Sequence, residues 1–196
     1  MLYSFVTTSA MEYADRTRDA MLEACLAQIA QGDQQALCAL YEQTRQAAYG
    51  FALSILKNAE DAQDVLQETY IRLYAAAGRY QPQGKPMAWL LTIVRNLARM
   101  KLREGARRAE LAPEEWERLP ASQTGLTSED RMVLSAALRG LNDEELRIVM
   151  LHAVSGLKHR ETAALLGLPL STVLSKYHRA LKKLKIQLTE DGRHAQ

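Results

Sequence analysis

Only two cysteines, Cys25 and Cys38, occur in 196 residues, and they form no CxxC pair. No histidine lies at ligand spacing from either, which excludes a disulfide framework and a cysteine–histidine zinc site. Both sit among apolar positions at helical spacing, so buried thiols in a reducing cytoplasm are expected. No apolar run approaches the roughly 20 residues of a membrane span, and no cationic stretch precedes an apolar one near the N-terminus. Neither membrane insertion nor a secretory signal is therefore expected, and the protein is read as cytoplasmic. Proline is scarce at five residues and phenylalanine at two. No stretch alternates apolar and polar residues with a period of two, so no sheet is expected. The four histidines, His152, His159, His178 and His194, have no paired carboxylate at useful spacing, and no glycine-rich phosphate loop is present. Nothing assembles a catalytic constellation, so no catalytic residue, metal or cofactor is expected.

What remains is a helix-forming chain, rich in Ala, Leu, Arg, Glu and Gln, whose 47% hydrophobic content suffices for a packed core. Its net charge of +2 conceals uneven blocks. Residues 58–71 carry Glu60, Asp61, Asp64 and Glu68 without Lys or Arg, whereas residues 95–108 carry six basic residues against Glu104 alone. Residues 110–130 turn acidic again, and residues 170–189 are purely basic. Such blocks suit different partners for different segments.

Taken in order, residues 1–16 have weak periodicity and are expected to be a loose lead-in. Met21, Leu22, Cys25, Leu26 and Ile29 then form an apolar stripe, and Asp33 can cap a helix running through Leu40, Phe51 and Leu56. Asn58 and Asp61 mark the start of a third helix that buries Val65, Leu66, Thr69, Tyr70 and Leu73. On it Asp61, Asp64 and Glu68 lie at i, i+3 and i+7, one acidic stripe. The stripe is read as lacking basic partners on its own helix, so that its like charges repel. It is either a solvated face or a docking face for a basic partner. Residues 78–85 form a turn-rich loop before a helix opened by Pro86, which buries Leu90, Ile93, Val94 and Leu97. The opposite face presents Thr92, Arg95, Arg99 and Arg103 with Asn96 beside them. Cations for phosphates next to the rings of Tyr80 and Trp89 suit nucleic acid, although both rings equally suit a core.

Gly105 is expected to end that helix, and residues 109–127 read as an acidic linker. A helix capped by Ser128 or Thr127 follows, with Met132, Val133, Ala136, Ala137 and Leu138 inward, and Asn142 with Glu145 caps the next. Gly167 after Leu165 and Leu166 can take the left-handed conformation that ends a helix, and Pro169 sits where a new one begins. This helix-turn-helix carries Val173, Tyr177, Ala180, Leu181 and Leu184 on one face. Ser171, Thr172, Ser175, Lys176, Arg179 and Lys183 mark a hydroxyl-and-cation face of the kind a major groove accepts.

These segments together resemble the extracytoplasmic-function (ECF) sigma factors, small promoter-recognition subunits of bacterial RNA polymerase. Residues 32–41, Asp61 through Thr69, and Ala88-Trp89-Leu90 through Ala98 look like the family's domain 2. Leu141 through Glu145, Gly156, Gly167, Thr172-Val173 and His178-Arg179-Ala180 look like its domain 4. The resemblance implies an all-α protein of two small helical domains, 17–108 and 128–190, joined by a flexible linker at 109–127. It implies that Asp61, Asp64, Gln67 and Glu68 dock on the clamp coiled coil of core polymerase. Gln81, Gln83 and Lys85 of the loop, with Arg95, Asn96, Arg99 and Arg103, would read the −10 element of promoter DNA. Ser171, Thr172, Ser175, Lys176 and Arg179 would read the −35 element. A cognate anti-sigma factor is a further partner that the family implies. The sequence departs from the family pattern at Pro169, where Ser is usual, and at Leu174, where a basic residue is common, which bears on the −35 preference. The competing reading is a helix-turn-helix regulator that does not bind polymerase as a sigma subunit. It would call for an upstream sensor or receiver, whereas residues 17–108 show no βα alternation. As a free coil a 19-residue linker has an end-to-end distance near ~24 Å and reaches at most about 65 Å. The two domains are therefore expected to be able to come together when free.

Overall fold

Capping residues and apolar spacing account for the helices from about residue 17 on in the computed structural model, which describes residues 2–106 and 138–194, with side chains over 16–104 and 138–188. Helix α1 spans Leu2–Ile29, so residues 2–16, expected as a loose lead-in, are continuous with the first helix. Its inner face is Leu22, Cys25, Leu26 and Ile29, while Met21 stays exposed. Helix α2 spans Gln34–Leu56, and the Asp33 carboxylate accepts from the amides of Gln35 and Ala36, satisfying donors that a helix start leaves unpaired. Cys38, expected buried, is exposed on α2, whereas Cys25 is buried and desolvation pushes its thiol pKa up. Helix α3 spans Ala59–Ala76, where Asn58 Oδ1 accepts from the Asp61 amide at 2.9 Å. A short 3-10 turn, Ala77–Arg79, and the loop 80–85 lead into helix α4, Pro86–Ala106, which runs one residue past Gly105.

These four helices enclose one apolar cluster centred on Leu26, Leu40, Phe51, Leu73, Leu91 and Val94. Burial of side chains of this size stabilises by about 1.5–3 kcal/mol each. All five residues expected on the inner side of α3 are buried. Two polar groups are carried into this core already satisfied, since the Thr44 and Tyr70 hydroxyls lie 2.7 Å apart and Thr44 also donates to the Leu40 carbonyl.

The C-terminal unit follows residues 138–139, which are helical. It contains α5 (Asp143–Val149), a π-helical turn (Met150–Val154), α6 (His159–Leu166) and α7 (Leu170–His194). The expected capping pair is reciprocal: Asn142 Oδ1 accepts from the Glu145 amide, and Glu145 Oε2 accepts from the Asn142 amide at 3.1 Å. Glu145 is almost fully buried and also takes the Lys183 ammonium at 2.6 Å. Burial pushes its carboxyl pKa up, but Lys183, the Asn142 amide and Arg179 outweigh this and hold it below the ordinary carboxylate range. The helix-turn-helix is α6 and α7, with Gly167 left-handed (φ 70°) between them. On α7, Val173 and Ala180 are buried, but Leu181, expected on that face, is exposed. Among the described residues there is no strand, and no helix is long and apolar enough to cross a membrane. The expected linker at 109–127 and the expected helix bearing Met132, Val133, Ala136 and Ala137 lie outside the described residues.

Candidate polymerase and promoter interfaces

The acidic stripe of α3 forms, but its charges are not unpartnered. Lys101 of α4 places its ammonium 2.9 Å from Asp61 Oδ1 and 2.5 Å from Asp64 Oδ2. Burial lowers the Lys101 pKa, and the two carboxylates more than reverse this, raising it. Arg72, four residues on from Glu68, pairs with it at 2.6 Å. The reading of a stripe without basic partners is therefore corrected, and repulsion among its carboxylates does not by itself argue for docking. A different feature marks this face. Ile71 is 64% exposed and Tyr74 42% exposed, and with exposed Gln67 they follow at i, i+4 and i+7 on the same side of α3. Large apolar groups in water beside paired charges are what a protein interface presents. Sequence reasoning missed both, although their being out of phase with the buried face of α3 was the available signal.

The loop 80–85 and α4 form a second surface. Gln81, Gln83 and Lys85 are exposed around a cleft of about 370 Å³ whose walls include Arg79, Tyr80, Ala88, Trp89 and Thr92. Tyr80 and Trp89 sit at the margin of the core: both are half-buried against its cluster, and their rings tilt against each other at 5.0 Å. Further along α4, Asn96, Arg99 and Arg103 are exposed and line a shallow basic depression of about 490 Å³ with Met100 and Leu102. Arg95 behaves differently. Its guanidinium donates to the Leu165 carbonyl at the end of α6, so the second unit occupies it.

On α7, Ser171 and Arg179 are exposed, Thr172 is half-buried, and the exposed Ser175 hydroxyl donates to the Thr172 carbonyl at 3.0 Å. Lys176, expected on the same face, is drawn 2.6 Å from Glu144 of α5. Three of the expected contacts thus share one open face, and Lys176 is committed to an ion pair within its own unit.

The two units meet along α2, α4, α5 and α6. Leu151, Leu157 and Leu165 join the core cluster of the first unit. Lys57 pairs with Asp143 at 2.7 Å, and this ion pair holds the Asp143 carboxyl below its ordinary range. Arg18 of α1 donates to the Ser155 carbonyl at 3.2 Å. The expectation that the two units can lie together is matched by these contacts.

Residues 40–108 match the family Sigma-70 region 2, and residues 131–184 match Sigma-70, region 4. The chain is 35% identical over 143 residues to the ECF RNA polymerase sigma factor EcfG of Rhodopseudomonas palustris, covering 72% of this chain and 79% of that protein. It is 36% identical to the ECF sigma factor SigE of Mycolicibacterium smegmatis over 82% of this chain and 66% of that one. Among solved structures it is similar to CnrH in complex with the cytosolic domain of CnrY, with a TM-score of 0.59, 26% identity, and 87% and 99% of the two chains covered. The fold also matches the sigma factor RpoE of Bartonella quintana, solved with the anti-sigma factor NepR, with a TM-score of 0.63, 24% identity, and coverage of 76% and 94%. Matches to regions 2 and 4 on two helical units place the chain among the sigma subunits of bacterial RNA polymerase. The chain belongs to the ECF sigma factors of bacterial RNA polymerase. Members of this family are transcription initiation factors and not enzymes.

Proposed function

We propose that this sigma factor docks on the clamp coiled coil of core polymerase through α3, using Asp61, Asp64, Gln67 and Glu68 with Ile71 and Tyr74. The single observation that carries this reading is the exposure of Ile71 and Tyr74 beside the charged stripe, on the segment matched to region 2. The loop residues Gln81, Gln83 and Lys85 then receive an unstacked base of the −10 element, while Asn96, Arg99 and Arg103 hold the strand through phosphates and base edges. Ser171, Thr172, Ser175 and Arg179 enter the major groove at the −35 element, with Lys176 joining after release from Glu144. The chain forms no covalent intermediate; strand opening draws on binding energy to unstacked bases.

Arg95 serves DNA only when the C-terminal unit leaves α4, because its guanidinium otherwise meets the Leu165 carbonyl. The two elements lie more than one helical turn, about 34 Å, apart. Initiation therefore exchanges the packed arrangement for one in which residues 109–127 stretch. By analogy with the complexes named above, a small anti-sigma protein is the partner that would hold this chain away from polymerase, and its place of action is the cytoplasm. The alternative of a helix-turn-helix regulator leaves the region 2 match over residues 40–108 without a role.

The reading is tested by reconstituting the chain with bacterial core polymerase. Asp64→Arg with Glu68→Lys should keep the helical circular dichroism while costing about 1–2 kcal/mol of stability, because it sets positive charges against Lys101 and Arg72. The same variant should lose co-elution with core polymerase and promoter-dependent transcription. Co-elution equal to the parent at moderate salt would remove α3 as the docking face.

A further inference from the structure

The loop 80–85 is held by a residue that belongs neither to the loop nor to α4. Glu23 lies on α1, and its Oε1 accepts two hydrogen bonds at once: one from the Tyr80 hydroxyl and one from the Gly84 amide, both 2.8 Å. These two donors stand at opposite ends of the loop, so a single carboxylate oxygen ties its entry to its exit. Gly84 has a φ of +65°, a left-handed backbone that turns its N–H toward α1 and that a residue with a side chain seldom adopts. Tyr80 is fixed a second time by its contact with Trp89. Its phenol pKa is pushed up to about 12, first by burial and then by the Glu23 carboxylate, while the backbone N–H groups of Gln83 and Lys85 pull the other way. At neutral pH Tyr80 therefore remains protonated and donates to Glu23.

Between these two anchored points Gln81, Pro82 and Gln83 project into solvent. A loop that must meet an unstacked base loses conformational entropy on binding unless its shape is already set. We infer that Glu23 is a positioning residue for base recognition, clamping the loop 80–85 so that Gln81 and Gln83 are presented in one arrangement to the −10 strand. Glu23 touches no DNA in this scheme; it acts through Tyr80 and Gly84. The inference rests on the reading of the loop as the base-receiving element, and its test separates the two.

The holoenzyme is assembled from core polymerase and the full chain for the binding assay, and emission is read on the free chain carrying Trp116→Phe, in which Trp89 is the remaining tryptophan. A pool of short single-stranded DNAs randomised over eight positions is captured by the holoenzyme and sequenced. The parent should enrich one base strongly at a defined position. Glu23→Ala should flatten that preference about tenfold, the effect of losing one charge-assisted and one backbone hydrogen bond, and should shift Trp89 emission as Tyr80 leaves its ring. Glu23→Gln should retain both the preference and the emission, because its carboxamide oxygen still accepts both bonds. Replacing Gln81-Pro82-Gln83 by Gly-Ser-Gly should abolish the preference with Glu23 intact. If the loop replacement abolishes the preference and Glu23→Ala leaves it unchanged, the positioning role is overturned while the loop reading stands. If Glu23→Gln is as impaired as Glu23→Ala, the shared acceptor is not what holds the loop, and the inference is again overturned. A preference that survives the loop replacement would overturn the reading of the loop itself.

Discussion

The two units differ in how they bury apolar surface. The N-terminal unit encloses one continuous cluster contributed by all four of its helices. The C-terminal unit divides its interior into two small clusters, one around Leu141, Leu146, Val149 and Ala180 and the other around Ile148, Ala163 and Val173. Small units bury too little surface to be robust alone. This one compensates in two ways. It joins buried Glu145 to the exposed Lys183 on top of a capping box, and it lends Leu151, Leu157 and Leu165 to the core of its neighbour. The surface used for leaning is also the one that covers Arg95, so the stability of the C-terminal unit and the exposure of that guanidinium are coupled in the same contact. Separation of the units returns those three leucines to water, each worth about 1.5–3 kcal/mol if fully re-exposed.

The largest way to break this comparison is to damage the larger core. Phe51 is completely buried, and Phe51→Ala should cost about 3–5 kcal/mol in urea unfolding followed by circular dichroism. Because α5, α6 and the π-turn lean on α2 and α4, the C-terminal unit should unfold in the same transition. Two well-separated transitions would mean that the C-terminal unit stands without its neighbour. A smaller effect comes from cutting the contact and sparing both cores. Lys57→Glu replaces the ion pair with Asp143 by repulsion and should cost about 1 kcal/mol or less, since Asp143 is largely exposed. Its clearer consequence should be a larger radius of gyration in small-angle scattering as the units part. An unchanged radius would show that the contact holds without this ion pair, through the three leucines and the hydrogen bonds of Arg18 and Arg95.

The smallest expected effect concerns pH. His159 stacks on His152 at 3.8 Å, and the Tyr177 ring closes over both. Burial first, then the neighbouring His152 and His178, hold the His159 pKa below the ordinary 6.5. The unfolded chain therefore takes up its proton at higher pH than the folded one. The contribution of this site is present above the ordinary histidine value and is lost as the pH falls below it and through the lowered pKa. Melting temperature recorded from pH 7.5 to pH 5 should decline, and His159→Gln should make the decline shallower. An identical slope in the variant would assign the decline to other groups.

Much of the fold was legible because its signals act over a few residues. Asp33, Asn58 and the Asn142–Glu145 pair cap helices where they stand, Gly167 ends one, and the apolar phase of α3 names its buried side. The division into two helical units and the family resemblance follow from the same local patterns. What these patterns could not convey is which distant charge meets which. Lys101 reaches Asp64 across 37 positions of chain, Arg95 reaches Leu165 across 70, and Glu23 reaches Tyr80 across 57. Each of those pairings depends on how two helices cross and on the rotation of each about its own axis, and neither is encoded in spacing along one helix. The sequence by itself determined the helices, most of their buried faces and the family. Only the tertiary structure decided that Lys101 pairs Asp61 and Asp64, that Arg95 is covered, and that the loop 80–85 is tied to α1, because those outcomes arise from packing between elements.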